Sequence, residues 1–397
     1  MKEDSGSYSQ GLLQPRLGRE ILWVEDPIAL EELVGRWAME ARLAVDLEAD
    51  SLYRYRERIC LVQVCSAREV ALIDPLALGD LKALRPLLEN PNLEKVFHGA
   101  DYDMRLLKGA GFKPRGIFDT MVAARCVGAK RLGLSDLLEE RLGIRLEKRF
   151  QRADWSRRPL PAPMLDYAVR DSCYLLALRD SLAHELQALG RMELARAHFL
   201  ALEKIEPLRR DPPNAMKIPG ARKLDHRSLA ALQALLEWRE QQARERDVPV
   251  FKILPSETLL ALAREKPTDL KSLLGIPGIT KRVVELWAEG LLRALQEGLN
   301  RDPFVAFKPP KAVQNPPGSR NRFMALKQIR DQRAKEEGLD PGILCPNSLL
   351  RALASSEPRH LNQTWEELLT PWQQRLLGEK FQQVLSGSSH KKYQRGK

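Results

Sequence analysis

Asp46 and Glu48 stand two residues apart in the run LAVDLE (43–48), which has strand composition, so both carboxylates leave the same face. Two acids on one side of an otherwise apolar strand repel each other unless a cation lies between them. Hard divalent ions such as Mg²⁺ and Mn²⁺ favour such oxygen ligands. An edge strand with a solvated acidic face has the same spacing. Asp103 follows another strand-like run, KVFHGA (95–100), where the first turn of a helix is expected, with Asp101 as its rival for any metal role. Either acid also suits the positive end of a helix dipole. Tyr167 and Asp171, four apart in MLDYAVRDSCYLLAL, stack on one helix face. A phenol above a carboxylate can hold a water against a metal; a core-edge tyrosine beside an unrelated surface acid fits the spacing equally.

These side chains need a scaffold. LAVDLE, ICLVQVC (59–65) and VALIDP (70–75) have strand length and are joined by links short enough for an antiparallel meander. KVFHGA is a fourth strand, and GIFDT (116–120) starts another short strand or turn. Helical patterns follow from Tyr102, over LSDLLEERLG (134–143), and from Pro163 to Leu189. Strands and helices in this mixed order indicate an α/β layer fold. Beyond it the chain is all-helical and repeats itself. At an offset of 91, Arg239 falls on Arg330, Gln241 on Gln332, Ala243 on Ala334, Glu245 on Glu336, Pro255 on Pro346 and Leu262 on Leu353. Leu229, Leu232, Leu236 and Ala243 give the first copy one buried face. Pro-rich stretches at 206–223 and 301–319 read as linkers, and 386–397 as a polar tail. The expected boundaries are 20–205 for the α/β domain, then 224–299 and 320–386 for the helical modules.

Composition narrows the class. Of 397 residues, 44% are hydrophobic and 29% charged, which excludes a disordered chain. Five scattered cysteines without a CxxC argue against a disulfide framework or zinc finger and fit a reducing cytoplasm. No uncharged apolar run reaches membrane-spanning length, and the first residues are unlike a secretory signal, so a cytoplasmic protein without a membrane partner is expected. The net charge of +11 points to a polyanion. Residues 1–200 are neutral, 201–300 carry +3 and 301–397 carry +8. The surplus lies with the helical half, away from the acids.

The ordered set of Asp-x-Glu on an early strand, Asp after a later strand and Tyr-x₃-Asp on a late helix resembles the DEDD exonucleases, in the subclass with Tyr in the last motif. The likeness runs from about residue 20 to 200 and takes in VFHGADYD, IFDT, RFQRADW with RPL after it, and YAVRDSCYLLAL. ILPSETLLALA and LLGIPGITKRVVELWAEGLLRAL resemble the HRDC domain. An exonuclease followed by two such modules looks like the ribonuclease D family. The resemblance implies an α/β RNase H-like exonuclease domain, a mixed sheet with flanking helices, followed by two small all-α HRDC-like domains. It implies 3′→5′ hydrolysis of RNA to nucleoside 5′-monophosphates, on tRNA precursors or other structured RNA with a 3′ tail. It further implies two divalent metal ions, Mg²⁺ or Mn²⁺, held by Asp46, Glu48, Asp103 and Asp171. Tyr167, a poor base at neutral pH with a phenol pKa of about 10, would orient the attacking water.

Further residues suit RNA. SLYRYRERIC (51–60) interleaves aromatic and basic residues, so Tyr53, Arg54, Tyr55 and Arg56 could stack a terminal base and hold phosphates, or form a solvated hairpin. KRFQRADWSRR (148–158) offers Lys148, Arg149, Arg152, Arg157 and Arg158 in the same way, or is an ordinary basic loop. His98 joins this set, although a histidine after an apolar strand is more often a packing residue. GIPGI (275–279) with Lys281 and Arg282 could meet a phosphate or be a plain helix–helix turn, and the second module lacks its Gly-Pro-Gly. The acids do not separate RNA from DNA, so a DNA exonuclease is the alternative enzyme. A catalytically silent RNA-binding adaptor is the alternative of another class, disfavoured because all five motif residues are present. A monomer is expected. Removal of 301–397 is expected to weaken structured-RNA binding and leave cleavage of short oligonucleotides.

Overall fold

A computed structural model of the chain describes residues 18–147, 149–302, 316–355 and 368–386. The strands are β1 (Glu20–Val24), β2 (Arg42–Ala49), β3 (Ile59–Cys65), β4 (Glu69–Ile73), β5 (Glu94–Phe97) and β6 (Ile117–Asp119). They form a 6-stranded sheet in the order β1-β4-β3-β2-β5-β6. β3 and β4 are antiparallel, whereas β1 with β4, β2 with β5 and β5 with β6 are parallel, so the sheet is mixed. The expected side-by-side order of the first three runs is present as β2, β3 and β4. β1 escapes local reading because its partner β4 lies far along the chain. β3 and β4 are buried throughout, which is why both read as nearly unbroken apolar runs.

The helix expected from Pro163 to Leu189 is two helices, Ala162–Cys173 and Leu175–Ala188, parted at Tyr174. The break lets the first lie against β3 and β4 while the second packs on helix Thr120–Val127. Periodicity carries through a break that changes direction without changing apolar spacing. Among the described residues, no helix is long and apolar enough to cross a membrane.

The chain divides into two compact units that do not follow its linear order. The first is built from the chain up to Glu48, Ile59–Leu208 and the chain beyond Val313; the second combines Ala49–Arg58 with Arg209–Ala312. In the second unit, helices His226–Glu245, Ser256–Glu265 and Lys281–Asn300 enclose a leucine-rich core. Gly298 lets the two long helices cross, because a Cβ there would lie 2.5 Å from Ala231 Cα. The stretch 206–223, read as a linker, is partly packed: Ala215 and Ala221 are buried in this core. Gln233 holds the irregular segment, accepting from Ala215 N at 2.9 Å and donating to Pro213 O at 2.9 Å.

The second module, helices Ser319–Glu337, Pro341–Leu344, Asn347–Ser355 and Pro371–Leu385, repeats the first in detail. Arg239 Nη1 donates to Leu254 O (3.0 Å) and Ser256 Oγ (3.2 Å); Arg330 Nη1 donates to Cys345 O (2.9 Å) and Asn347 Oδ1 (2.8 Å). All three pairs of positions are 91 apart. This module shares one apolar core with the α/β body, in which Leu326, Ala334, Leu344 and Phe381 lie with Ala123, Leu182 and Phe199.

Candidate active site

Asp46 and Glu48 project from β2, between buried Val45 and Leu47, in the interior of the sheet. Asp171 reaches them from helix Ala162–Cys173, whose Met164, Leu165, Ala168 and Val169 are buried in the core and so orient its remaining face. Carboxylate oxygens of Asp46, Glu48 and Asp171 lie within 4.8 Å of one another. Tyr167, one turn earlier, hydrogen-bonds to Asp171. Asp103 sits in the first turn of helix Asp101–Gly109 and is only 7% exposed. The entry to that helix is fixed by buried Asp119, which accepts from Gly99 N (3.2 Å), Ala100 N (2.6 Å) and Val122 N (2.9 Å). Asp103, not Asp101, adds its charge to the cluster; Asp101 is exposed and paired with Arg105 at 2.8 Å.

The electrostatics are those of crowded like charges. Burial, then the charge of Asp171, pushes Asp46 up to about 7. Burial pushes Asp171 up to about 6, against the hydrogen bond from Tyr167 that favours its ionised form. Glu48 is raised by burial and then by Asp46, Asp171 and Asp103; Asp103 is raised by burial and then by Asp46 and Asp119. The three clustered acids keep partial solvent access at their surfaces, yet protein surrounds them closely enough to desolvate them. Such a set fits hard divalent cations, which would supply the opposite charge. Burial and Asp171 raise the Tyr167 phenol too, so it stays protonated.

Beside these acids lies a cleft of about 190 Å³ lined by Arg149, Phe150, Pro163, Asp166, Tyr167 and Asp171, among others. The Tyr167 ring meets Phe150 edge-on at 5.8 Å and Trp155 at 6.2 Å. Neither Phe150 nor Trp155 was singled out from the sequence: both lie in RFQRADW, a loop without a period to mark which rings face the site. The Arg149 guanidinium stands 5.4 Å from the Phe150 ring centre.

Several residues expected to meet RNA are engaged by protein instead. Tyr55 is 5% exposed, and its hydroxyl donates to Glu240. Arg54 pairs with Asp247 at 3.3 Å, and Lys252 Nζ stands 4.4 Å from the centre of the Tyr53 ring. Arg158 Nη2 donates to Asp74 at 2.6 Å and to Cys60 O at 2.6 Å, while Arg157 pairs with Asp154 at 3.4 Å. These arginines bind the loop's own surroundings, because short polar partners lie within reach on the fold. His98 is half-buried, with Nδ1 2.9 Å from Thr120 Oγ1. Arg56, Arg149, Arg152, Lys281 and Arg282 are exposed, and Lys148 lies outside the described residues. GIPGI is a tight turn: a Cβ on Gly278, at φ +86°, would lie 2.2 Å from Thr258 Oγ1.

A profile of 3'-5' exonucleases matches residues 21–187, and the HRDC domain profile matches 228–295 and 319–385. Ribonuclease D of Shewanella sp. (strain ANA-3) is 31% identical over 321 residues, covering 80% of this chain and 82% of the relative. Ribonuclease D of Xanthomonas oryzae pv. oryzae is 30% identical over 371 residues, covering 92% and 99%. The crystal structure of Escherichia coli RNase D, an exoribonuclease involved in structured RNA processing, superposes with a TM-score of 0.70 at 26% identity, covering 92% of this chain and 99% of that one. The chain belongs to the ribonuclease D family and is a 3′→5′ exoribonuclease.

Proposed function

We propose that Asp46, Glu48, Asp103 and Asp171 hold two divalent metal ions, Mg²⁺ or Mn²⁺, for release of nucleoside 5′-monophosphates from RNA. The carrying observation is that carboxylate oxygens of Asp46, Glu48 and Asp171 lie within 4.8 Å of one another, desolvated by burial and facing one another's like charge, with the charge of Asp103 added at Glu48. When bound, such ions lower the pKa of an attacking water and offset charge on a leaving 3′ oxygen. The chain's own contribution is position. β2 fixes two acids by its pleat, Asp119 fixes the helix entry that carries Asp103, and the buried face of helix Ala162–Cys173 aims Asp171. Tyr167 donates to Asp171 and keeps its oxygen lone pairs to accept from a water; with its pKa raised, it orients that water rather than deprotonating it.

The substrate we propose is structured RNA with a single-stranded 3′ tail, tRNA precursors included. Exposed Arg149 over Phe150 supports a place for the terminal nucleotide in the cleft. The helical half, at +3 and +8 for residues 201–300 and 301–397, supports a grip on the folded body. We assign the catalytic segment to 20–205 and the modules to 224–299 and 320–386, in a cytoplasmic monomer. The test uses labelled RNA and DNA with 3′ overhangs in Mg²⁺, Mn²⁺ or EDTA. Asp46→Asn and Asp171→Asn are expected to lose about 1000-fold or more in turnover, for several kcal/mol of lost charge stabilisation, while remaining folded. Degradation that EDTA leaves unchanged, or wild-type turnover by either variant, would overturn the assignment.

A further inference from the structure

The turn that leaves β2 is gripped by the first helical module, and the grip is closed on every side of one residue. Asp50, fully buried, shuts the base of the turn by accepting from Arg58 N (2.7 Å) and Arg58 Nε (3.0 Å). Its carbonyl also accepts from Tyr53 N (2.8 Å) and Arg54 N (2.9 Å). At the tip, Tyr55 enters an apolar socket of Ala243 and Ile253, edged by Trp238, Val248 and Trp287. Its hydroxyl donates to Glu240, and Arg244 Nη2 donates to that hydroxyl at 3.4 Å. Arg210 lies 3.8 Å from the ring centre and donates to the Tyr55 carbonyl. Asp247 accepts from Tyr55 N at 3.2 Å.

Side-chain hydroxyl, ring face, N–H and C=O of Tyr55 are thus all held by residues between 210 and 247. A turn closed at both its base and its tip leaves the end of β2 little freedom. Glu48 lies two residues before Asp50. We propose that Tyr55 is a positioning residue for the exonuclease reaction: through it the first module fixes the turn after β2, and with it the placement of Glu48. This inference rests on the reading of Glu48 as a metal ligand. It differs from the expectation that the 51–60 segment holds RNA, since a clasp acts on turnover and an RNA contact on binding.

The experiment measures cleavage of a short single-stranded RNA in Mg²⁺, with hydrogen exchange over residues 45–58. Tyr55→Ala is expected to lower kcat by about 10-fold or more with KM changed less than about 2-fold, since small misplacement of a reacting group is costly. Exchange over 45–58 should quicken. Tyr55→Phe keeps the ring between its guanidiniums and should retain most of kcat. Arg210→Ala removes the grip on the ring face and on the Tyr55 carbonyl from the module side, and should move kcat and exchange in the same direction should Tyr55→Ala fail to fold. A rise in KM at unchanged kcat would make Tyr55 an RNA contact and overturn the proposal. Faster exchange at unchanged kcat would make the clasp a mere tether and overturn it equally. Glu48→Gln, run in parallel, separates the two readings. If it turns over normally, the ligand assignment fails; if it is inactive while Tyr55→Ala is normal, the clasp alone fails.

Discussion

The two helical modules share a fold and a docking face but not a partner. Each ends its long helix in the same turn: Val248 N donates to Ala243 O at 3.0 Å, and Leu339 N to Ala334 O at 2.8 Å. Around that turn, Ala243, Val248 and Ile253 stand where Ala334, Leu339 and Leu344 stand 91 residues later. In the first module this elbow receives Tyr55. In the second it enters the exonuclease core. Polar ties surround that junction: Arg125 with Asp340 (3.2 Å), Arg191 with Glu337 O (2.6 Å) and His198 Nε2 with Ile343 O (2.9 Å). The duplicated elbow is therefore a protein-docking face, and it is the residues around the shared turn that choose the partner. The RNA grip proposed for these modules would have to use their other faces.

The largest effect should come from deletion. Ending the chain before residue 316 removes part of a continuous apolar core, so we expect loss of soluble, folded exonuclease. This replaces the milder outcome expected from charge alone, weaker binding of structured RNA with cleavage of short substrates intact. A truncated protein that unfolds cooperatively and still cuts short oligonucleotides would show that the shared core is dispensable. The next step down is a charge in each elbow. Ala334→Asp buries a carboxylate in the core of the first unit and should destabilise it by about 3 kcal/mol or more. Ala243→Asp should chiefly release the Tyr55 turn. Thermal unfolding with hydrogen exchange reads both, and equal effects would erase the distinction between the modules.

The acidic site offers a contrast with both modules, because its folding cost depends on pH. Asp46 and Asp171 have raised values of about 7 and about 6 in the folded chain, so between pH 4 and 7 the native state binds more protons than the unfolded one. Stability without divalent ions should thus be fullest near pH 4 to 5 and fall as pH rises through the folded values. Saturating Mg²⁺ should flatten that fall. Unfolding temperatures measured from pH 5 to 8, with EDTA or Mg²⁺, check it; a loss of several degrees is expected for a change of about 1–2 kcal/mol. A pH-independent unfolding temperature in EDTA would mean that the acids are not desolvated as described.

How much of this was legible depended on the range of the interaction. The five motif residues have type and spacing that the strand and helix periods already bring together, and burial of Met104, Leu106 and Leu107 aims Asp103 as its helix pattern implies. The duplication was legible too, and the Arg239 and Arg330 clamps give it a physical basis. The fate of Tyr55 was not. An aromatic among arginines looks the same whether its partner is a base or a distant Glu240. The different partners of the modules were equally hidden, because matching alanines at 243 and 334 say that a face is buried, not what covers it.

The finest test concerns one backbone angle. At matching positions the turns carry Asp247, at φ 48°, and Gly338, at φ 65°. Glycine adopts that left-handed conformation freely, whereas an aspartate there costs roughly 1 kcal/mol. What the first module gains is a carboxylate placed to accept from Tyr55 N (3.2 Å) and to pair with Arg54 (3.3 Å). Asp247→Gly should relieve the backbone and lose about as much in hydrogen bonding, leaving stability within about 0.5 kcal/mol of the parent. Exchange of the Tyr55 amide should nevertheless quicken. Asp247→Asn tolerates the same angle and keeps an oxygen for that amide, so its exchange should stay slow, with only the exposed pairing to Arg54 weakened. If Asp247→Gly instead stabilised the protein by about 1 kcal/mol and left the amide protected, the side chain would contribute nothing to the clasp. The two turns would then differ only in strain, and the Asp247 carboxylate would no longer explain how the first elbow holds the Tyr55 turn.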